Sequence, residues 1–249
     1  MRPLLLAALA LLACRPAGDV SKVPARARTE ADRASSDVRL PRAAPARFAS
    51  YDYGLKARVP PGLSYCTIPT DWVGSDHGRA FYLRPPAACD TTAGYVLSAV
   101  AEQVPRIELY YGYNVAELDY GGEDGERVAR TDSELAQQRC ARPRRLAGGT
   151  LLGRPAVGCR TERGDWVEVE AFATYYLDRP AARVQDPDAK ATVRLWTTRA
   201  RLAQDWPVFV GFAAGVSQCV ARWWDDSTGA AITVGAAPGR PDCPANAFW

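Results

Sequence analysis

The sequence predicts an α+β domain in which helices flank an antiparallel sheet and disulfides cross-link the chain. Three observations lead to this fold class. Several short segments alternate apolar and polar residues, as half-buried strands do. Two segments begin with polar residues that typically start helices and continue with apolar residues at helical spacing. Six of the seven cysteines lie between residues 66 and 243, where they form three pairs that are close in sequence.

The N-terminus predicts export and a lipid anchor. Residues 4–12 form an apolar stretch that suits a signal-peptide core and falls short of the roughly 20 residues needed to span a bilayer. This stretch ends in Leu11-Leu12-Ala13-Cys14, which resembles the bacterial lipobox. The resemblance implies removal of residues 1–13 and acylation of Cys14 with palmitate or similar chains. By resemblance to enteric lipoproteins, Arg15 favours the outer membrane, facing the periplasm. An ordinary secretory signal with a chance cysteine is the alternative.

Residues 14–47 are predicted to be the lipidated cysteine and a disordered tether, and residues 48–249 a single globular domain. The tether has four prolines and few large apolar residues, so it cannot bury enough surface to offset its chain entropy. Residues 15–47 carry a net charge of +4, which either attracts anionic lipid or is simply solvated. Residues 48–249 carry a net charge of −2, which disfavours nucleic-acid binding.

The first half of the domain is predicted to be mostly β. Leu55, Ala57 and Val59 alternate with basic residues, and Pro60-Pro61-Gly62 ends that strand in a turn. A loop is predicted over 70–78. Further strands are predicted at 63–68, at 81–83, at 95–100, and along Ile107, Leu109, Tyr111 and Tyr113.

The second half is predicted to contain two helices around a hairpin. Thr131-Asp132-Ser133-Glu134 is a capping-box pattern, and the helix it starts should end near Arg142-Pro143, with Cys140 in its last turn. Residues 155–161 and 165–177 form the hairpin. A last main strand runs along Val193, Leu195 and Thr197, and Asp205 is predicted to cap the second helix, with Pro207 in its first turn. That helix should pack on the sheet through Phe209, Phe212, Ala213, Val216 and Val220, and Cys219 should lie near its end.

The six cysteines of the domain indicate three disulfides, which allow 15 connectivities. Sequential pairing is favoured, because each pair would close a loop of about 20–25 residues and contribute roughly 3 kcal/mol. A zinc site is the alternative, but CxxC spacing is absent and His77 is the only histidine. No glycine-rich phosphate-binding motif occurs, so no cofactor is predicted. The favoured pairs are Cys66 with Cys89, Cys140 with Cys159, and Cys219 with Cys243.

Parts of the domain resemble the PsbP fold family. The matching segments are Tyr53-Gly54-Leu55 leading to Val59-Pro60 and Gly62-Leu63, then Leu152-Gly153-Arg154-Pro155-Ala156, then the final helix. Leu63 stands where that family usually has Trp, and the six cysteines are additional. The resemblance implies an antiparallel sheet covered by helices, in an α/β/α sandwich, and a protein-binding role without catalysis. It assigns no functional residue.

The residue types of a catalytic site cluster at Asp71, Ser75, Asp76, His77 and Gly78. Consecutive side chains in a loop diverge, whereas a Ser-His-Asp triad needs them in contact, so a turn is favoured over catalysis. Asp76 and His77 are retained as candidate binding residues. An envelope hydrolase that uses His77 remains an alternative.

Glu168 and Glu170 lie two residues apart in a predicted strand and therefore share a face. Paired carboxylates of this kind serve glycoside hydrolysis when a sugar fits between them, and Trp166 and Phe172 flank them. A solvated face of a half-buried sheet is the favoured interpretation.

The leading functional hypothesis is a non-enzymatic lipoprotein that binds another protein, as an immunity or inhibitor protein or as an envelope assembly factor. Aromatic side chains serve interfaces and cores equally well, so Tyr111 and Tyr113 are candidate contacts. The acidic segment 121–126 is a second candidate, through Glu123, Asp124 and Glu126. A structural lipoprotein of the cell wall is a further alternative.

Overall fold

Eight strands form a large antiparallel sheet in the computed structural model of the chain, in the order β1-β4-β5-β6-β10-β9-β8-β7. The structure describes residues 40–51, 53–66, 78–87, 89, 104–114, 127–177, 187–225, 230–234 and 241–243. The eight strands are β1 (Arg42–Ala43), β4 (Ser64–Tyr65), β5 (Gly78–Tyr82), β6 (Arg106–Tyr113), β7 (Arg144–Leu151), β8 (Arg154–Arg163), β9 (Trp166–Tyr175) and β10 (Ala189–Thr198).

Two smaller sheets and two helices complete the described fold. The first small sheet has the order β11-β3-β2 and the second pairs β12 with β13. Their strands are β2 (Arg47–Ser50), β3 (Leu55–Arg58), β11 (Val216–Gln218), β12 (Ala221–Asp225) and β13 (Ala230–Val234). The helices are α1 (Asp132–Arg139) and α2 (Leu202–Gly215). The prediction of an α+β fold built on an antiparallel sheet is confirmed.

One face of the large sheet carries the main hydrophobic core, and we call it the core face. Along β10, residues alternate strictly between buried and partly buried, because successive side chains of a strand point to opposite faces. The core face packs against α2 and the β11-β3-β2 sheet, which contribute Phe209, Phe212, Phe48 and Leu55. The opposite face, which we call the polar face, is covered at one end by α1.

Helix α1 begins as the sequence predicts. The backbone N–H of Glu134 donates to the Thr131 hydroxyl at 3.1 Å, which satisfies one of the free donors of the first turn. The Glu134 carboxylate accepts from the backbone N–H of Arg130, one residue earlier than in the standard capping box. Cys140 is the C-cap residue, and the strand β7 that follows at Arg144 has no counterpart in the sequence prediction.

Helix α2 differs from its prediction at both ends. Its N-cap is Arg201, not Asp205, and Asp205 lies in the first turn, where it is buried. The Asp205 carboxylate accepts hydrogen bonds from the Thr197 hydroxyl of β10 and from the Arg201 guanidinium, the latter at 2.9 Å. Asp205 therefore ties the helix to the sheet. The helix ends at Gly215. Val216 starts β11 because its backbone pairs with Ala57 of β3, and Cys219 and Val220 follow that strand.

All three predicted disulfides are confirmed. The S–S distances are 2.01 Å for Cys66–Cys89, 2.07 Å for Cys140–Cys159 and 1.98 Å for Cys219–Cys243. The second links the C-cap of α1 to β8 and packs with Leu135, Ala136 and Phe172. The third joins the segment after β11 to the C-terminal segment at 241–243.

Residues on the N-terminal side of the predicted boundary at residue 48 already pair in strands. Arg42–Ala43 pairs with Ser64–Tyr65, and Arg47 already belongs to β2. The composition of these residues did not indicate the pairing, because it uses backbone groups. An example is the 2.8 Å hydrogen bond that the Ala44 N–H donates to the Leu63 carbonyl. Gly78, predicted to end a loop, begins β5. The strand predicted at 95–100 and most of the loop predicted at 70–78 lie outside the described residues.

Candidate functional site

The polar face carries a row of charges across three adjacent strands. Arg194 of β10 lies opposite Glu108 of β6 on one side and opposite Glu170 of β9 on the other. The Arg194 guanidinium donates to Glu170 at 2.8 Å and lies 3.3 Å from Glu108. Its Nε also lies 2.9 Å from Glu168, which shares the face with Glu170 two residues along β9. One cation therefore holds three carboxylates.

Glu108 is the most buried member of this network. Its side chain is 1% exposed and forms salt bridges with both Arg194 and Arg106. Removing one partner of a buried ion pair leaves the other charge without compensation from water or protein. Such a removal therefore strongly destabilises the fold. The network is therefore well ordered, with each arginine fixed by its carboxylates.

Burial and charge perturb the titration of this face. Burial raises the pKa of Glu168, and the Arg194 charge only partly counteracts it. Burial likewise raises the pKa of Tyr110, with Glu108 adding to the effect. Burial by itself lowers the pKa of Arg194, but the nearby negative charges outweigh it and the net shift is upward. Arg194 is thus held as a permanent cation.

Aromatic rings and arginines continue the polar face beyond the carboxylates. Trp166 and Trp196 stack with ring centroids 5.4 Å apart and an interplanar angle of 14°. The Arg106 guanidinium lies 5.8 Å from the Trp196 ring, and that of Arg194 lies 4.9 Å from the Tyr110 ring. Both are cation–π distances. Both tryptophans and Tyr110 are partly exposed.

A groove of about 300 Å³ runs between α1 and this face. Leu135 and Arg139 line it from the helix, and Tyr110, Lys190 and Thr192 from the strands. It combines an apolar side with two basic side chains next to the Glu170–Arg194 pair.

The predicted lipidation and binding residues fall into two groups. Asp76, His77, Glu123, Asp124, Glu126 and Cys14 lie outside the described residues. Tyr111 and Tyr113 lie on the core face of β6, where both rings pack on Tyr53, at 5.1 and 5.2 Å. This favours the core alternative for these two tyrosines, and the neighbouring Tyr110 occupies the polar face.

The interpretation of Glu168 and Glu170 as a glycosidase pair has no support in this geometry. Both carboxylates form ion pairs with the same Arg194 guanidinium. Trp166 is stacked on Trp196, and Phe172 is buried under α1. The favoured interpretation, a solvated face, needs correction too, because these carboxylates are partly buried and ion-paired.

Sequence reasoning missed Glu108 and Arg194, and it placed Tyr110 among the aromatic residues without selecting it as a contact. Each occupies a polar position in an alternating strand, which is the ordinary pattern of a solvated face. Only the pairing of β6, β10 and β9 shows that they meet. Within the described residues, no three His, Cys, Asp or Glu side chains are placed to hold a metal ion. No helix there is both long and apolar enough to cross a membrane.

Replacement of Glu168 by Gln is expected to alter the pH dependence of stability. A carboxyl whose pKa is raised by folding contributes stability below its ordinary pKa of 4.5 and loses it as pH rises through the raised value. The wild type should therefore lose stability relative to Glu168→Gln as pH rises from 4 towards 7. Urea titrations of both proteins across this range measure the difference. A difference that stays constant or grows in favour of the wild type would contradict the shift.

Comparison with family models, with curated proteins and with solved structures found no match for this chain.

Proposed function

We propose that this protein is a non-enzymatic lipoprotein of the bacterial envelope that binds another protein through the polar face of its large sheet. The observation that carries the proposal is the composition of that face: Trp166, Trp196, Tyr110, Arg106 and Arg194 in partly exposed positions. Trp, Tyr and Arg are the residue types that dominate the binding energy of protein interfaces.

The order of this face supports the proposal further. Arg194 is fixed by three carboxylates, and the two tryptophans are fixed by stacking. Immobilising a flexible side chain on binding costs about 0.5–1.5 kcal/mol, and a surface ordered in advance avoids part of that cost. The Cys140–Cys159 disulfide holds α1 beside the same face.

We retain the PsbP-like sandwich as part of this proposal. Its support is the placement of α2 on the core face and α1 on the polar face of an antiparallel sheet. Protein binding without catalysis is the role that this resemblance implies. An immunity or inhibitor protein and an envelope assembly factor are the two forms of that role, and the identity of the partner separates them.

The lipid anchor is tested by replacing Cys14 with Ser. We expect the wild type to incorporate a fatty-acid label and to sediment with the outer membrane, because two or more acyl chains anchor a protein stably. The Cys14→Ser chain should lose both properties. Cys14→Ala serves as a second variant without a hydroxyl. Equal labelling of wild type and variants would contradict acylation at Cys14.

Partner binding is tested by crosslinking in the native envelope, followed by purification and identification of what is attached. We expect Trp196→Ala to lower recovery of a single partner roughly 30-fold, since truncating a central Trp typically costs about 2 kcal/mol or more. Trp206→Ala is the matched control. Trp206 is also a partly buried Trp with one aromatic neighbour, Phe209 at 5.4 Å, but it lies on α2.

Recovery with Trp206→Ala should equal that of the wild type. Circular dichroism of both variants verifies that each is folded. The proposed surface is wrong if the two tryptophan variants recover the partner equally well, and the binding function is wrong if the wild type recovers none.

A further inference from the structure

Three basic side chains lie together on the small β11-β3-β2 sheet, away from the polar face. Arg47 of β2 lies directly opposite Arg58 of β3, and Lys56 is two residues before Arg58 on the same face. Arg47 and Arg58 are exposed and Lys56 is partly buried. Like charges directly opposite each other on antiparallel strands destabilise the pairing.

The described residues contain no counter-charge bonded to these three cations. Among them, no carboxylate forms a salt bridge or hydrogen bond with Arg47, Lys56 or Arg58. The polar face differs, because there two arginines share three carboxylates. A sheet face on which three cations have no bonded carboxylate among the described residues is better explained by an external anion than by folding.

These cations line a groove of about 380 Å³, which we call the basic groove. Ser217 of β11, opposite Lys56, adds a hydroxyl to it, and Asp242 adds a single carboxylate. Gly215, at the end of α2, forms part of the wall. A Cβ there would lie 2.8 Å from the Arg58 carbonyl oxygen, so the helix can approach β3 this closely only without a side chain.

We propose that the basic groove binds a phosphate group. Two guanidinium groups, an ammonium and a hydroxyl supply many donors and a net positive charge, which is the donor set that suits a phosphate oxyanion. The phosphate belongs either to a free anion or to the headgroup of an anionic phospholipid. Arg47, the last residue of the predicted tether, belongs to β2, so the groove lies near the N-terminal end of the described residues.

The proposal is tested on the full chain carrying Cys14→Ser, which removes any contribution of an acyl anchor to vesicle binding. Inorganic phosphate is titrated by calorimetry at low salt. Sedimentation is measured with vesicles of phosphatidylcholine alone and with vesicles that also contain phosphatidylglycerol. Phosphatidylcholine carries a cationic group next to its phosphate and controls for weak general adsorption.

We expect Arg58→Gln to lower the affinity about tenfold, because a charge-assisted hydrogen bond contributes about that factor. Arg47→Gln and Lys56→Gln should each act similarly. Arg42→Gln is the matched control, since it removes one exposed charge from β1 outside the groove. The three groove variants should keep or raise the melting temperature, because they relieve repulsion between like charges, and this separates lost binding from lost folding.

Saturable phosphate binding that the groove variants weaken supports a free anion as ligand. Binding only to vesicles with phosphatidylglycerol, weakened by the same variants, supports a lipid headgroup. The proposal is overturned if the chain binds neither probe, or if Arg42→Gln weakens binding as much as Arg58→Gln. Because the groove and the polar face carry different residues, neither result affects the proposed partner surface.

Discussion

Replacement of Gly158 by Ala is expected to lower the free energy of unfolding by about 3 kcal/mol or more. Gly158 of β8 lies opposite Ala171 of β9. A Cβ at Gly158 would be 1.7 Å from the carbonyl oxygen of Glu170. A backbone oxygen cannot rotate away as a side chain does, so β8 and β9 would have to separate. The displacement would also shift Glu170 away from Arg194.

Gly112→Ala is the matched control for this prediction. Gly112 lies in β6 of the same sheet, and a Cβ there would meet no atom within 4 Å. Adding a methyl group in open space restricts the unfolded chain, so stability should stay equal or rise by up to about 1 kcal/mol. Urea unfolding of the two variants measures both changes. Equal stability of Gly158→Ala and wild type would mean that β8 and β9 are not packed as described.

Replacement of Arg194 by Met is expected to lower the free energy of unfolding by about 3 kcal/mol. Met retains most of the aliphatic volume and removes the charge that holds Glu108, Glu168 and Glu170. The burial of Glu108 makes the loss large, because that carboxylate cannot regain water without opening the sheet. The Arg194 side chain itself is 30% exposed, which places the effect at the lower end of the range for buried ion pairs.

A double variant separates lost charge from lost packing. Arg194→Met combined with Glu108→Gln should be at least ~1 kcal/mol more stable than the sum of the two single changes implies, because neutral Gln no longer needs the cation. Arg163→Met is the control: Arg163 lies 4.0 Å from Glu168 and is 72% exposed, so its loss should change stability little. Additive effects of Arg194→Met and Glu108→Gln would show that these side chains are not coupled.

The local elements of this fold were predictable where one short segment carried the whole signal. The capping residues of α1, the hairpin of β8 and β9 and the alternation along β10 each depend on neighbouring residues, so the sequence shows them directly. The cysteine pairs were predictable for the same reason, since each joins positions 19 to 24 residues apart.

The mispredicted elements depend on contacts that are distant in sequence. The sequence makes Asp205 a candidate helix cap. In the structure it lies in the first turn of α2, where its carboxylate accepts a hydrogen bond from the Thr197 hydroxyl of β10. Val216 continues an apolar helical pattern, but its backbone pairs with Ala57 of β3. Strand β7 contains Gly148 and Gly149, which weaken its strand signal, and it forms because β8 supplies its hydrogen-bond partners.

The sequence by itself determined the fold class and which residues of each strand share a face, and it favoured the sequential disulfide pairing, because these follow from periodicity and short spacing. The tertiary structure alone decided which faces meet. Glu108, Arg194 and Glu170 are up to 86 residues apart and became one network only through the register of β6, β10 and β9. The register of distant strands is set by the packing of the whole core, and no local pattern encodes it.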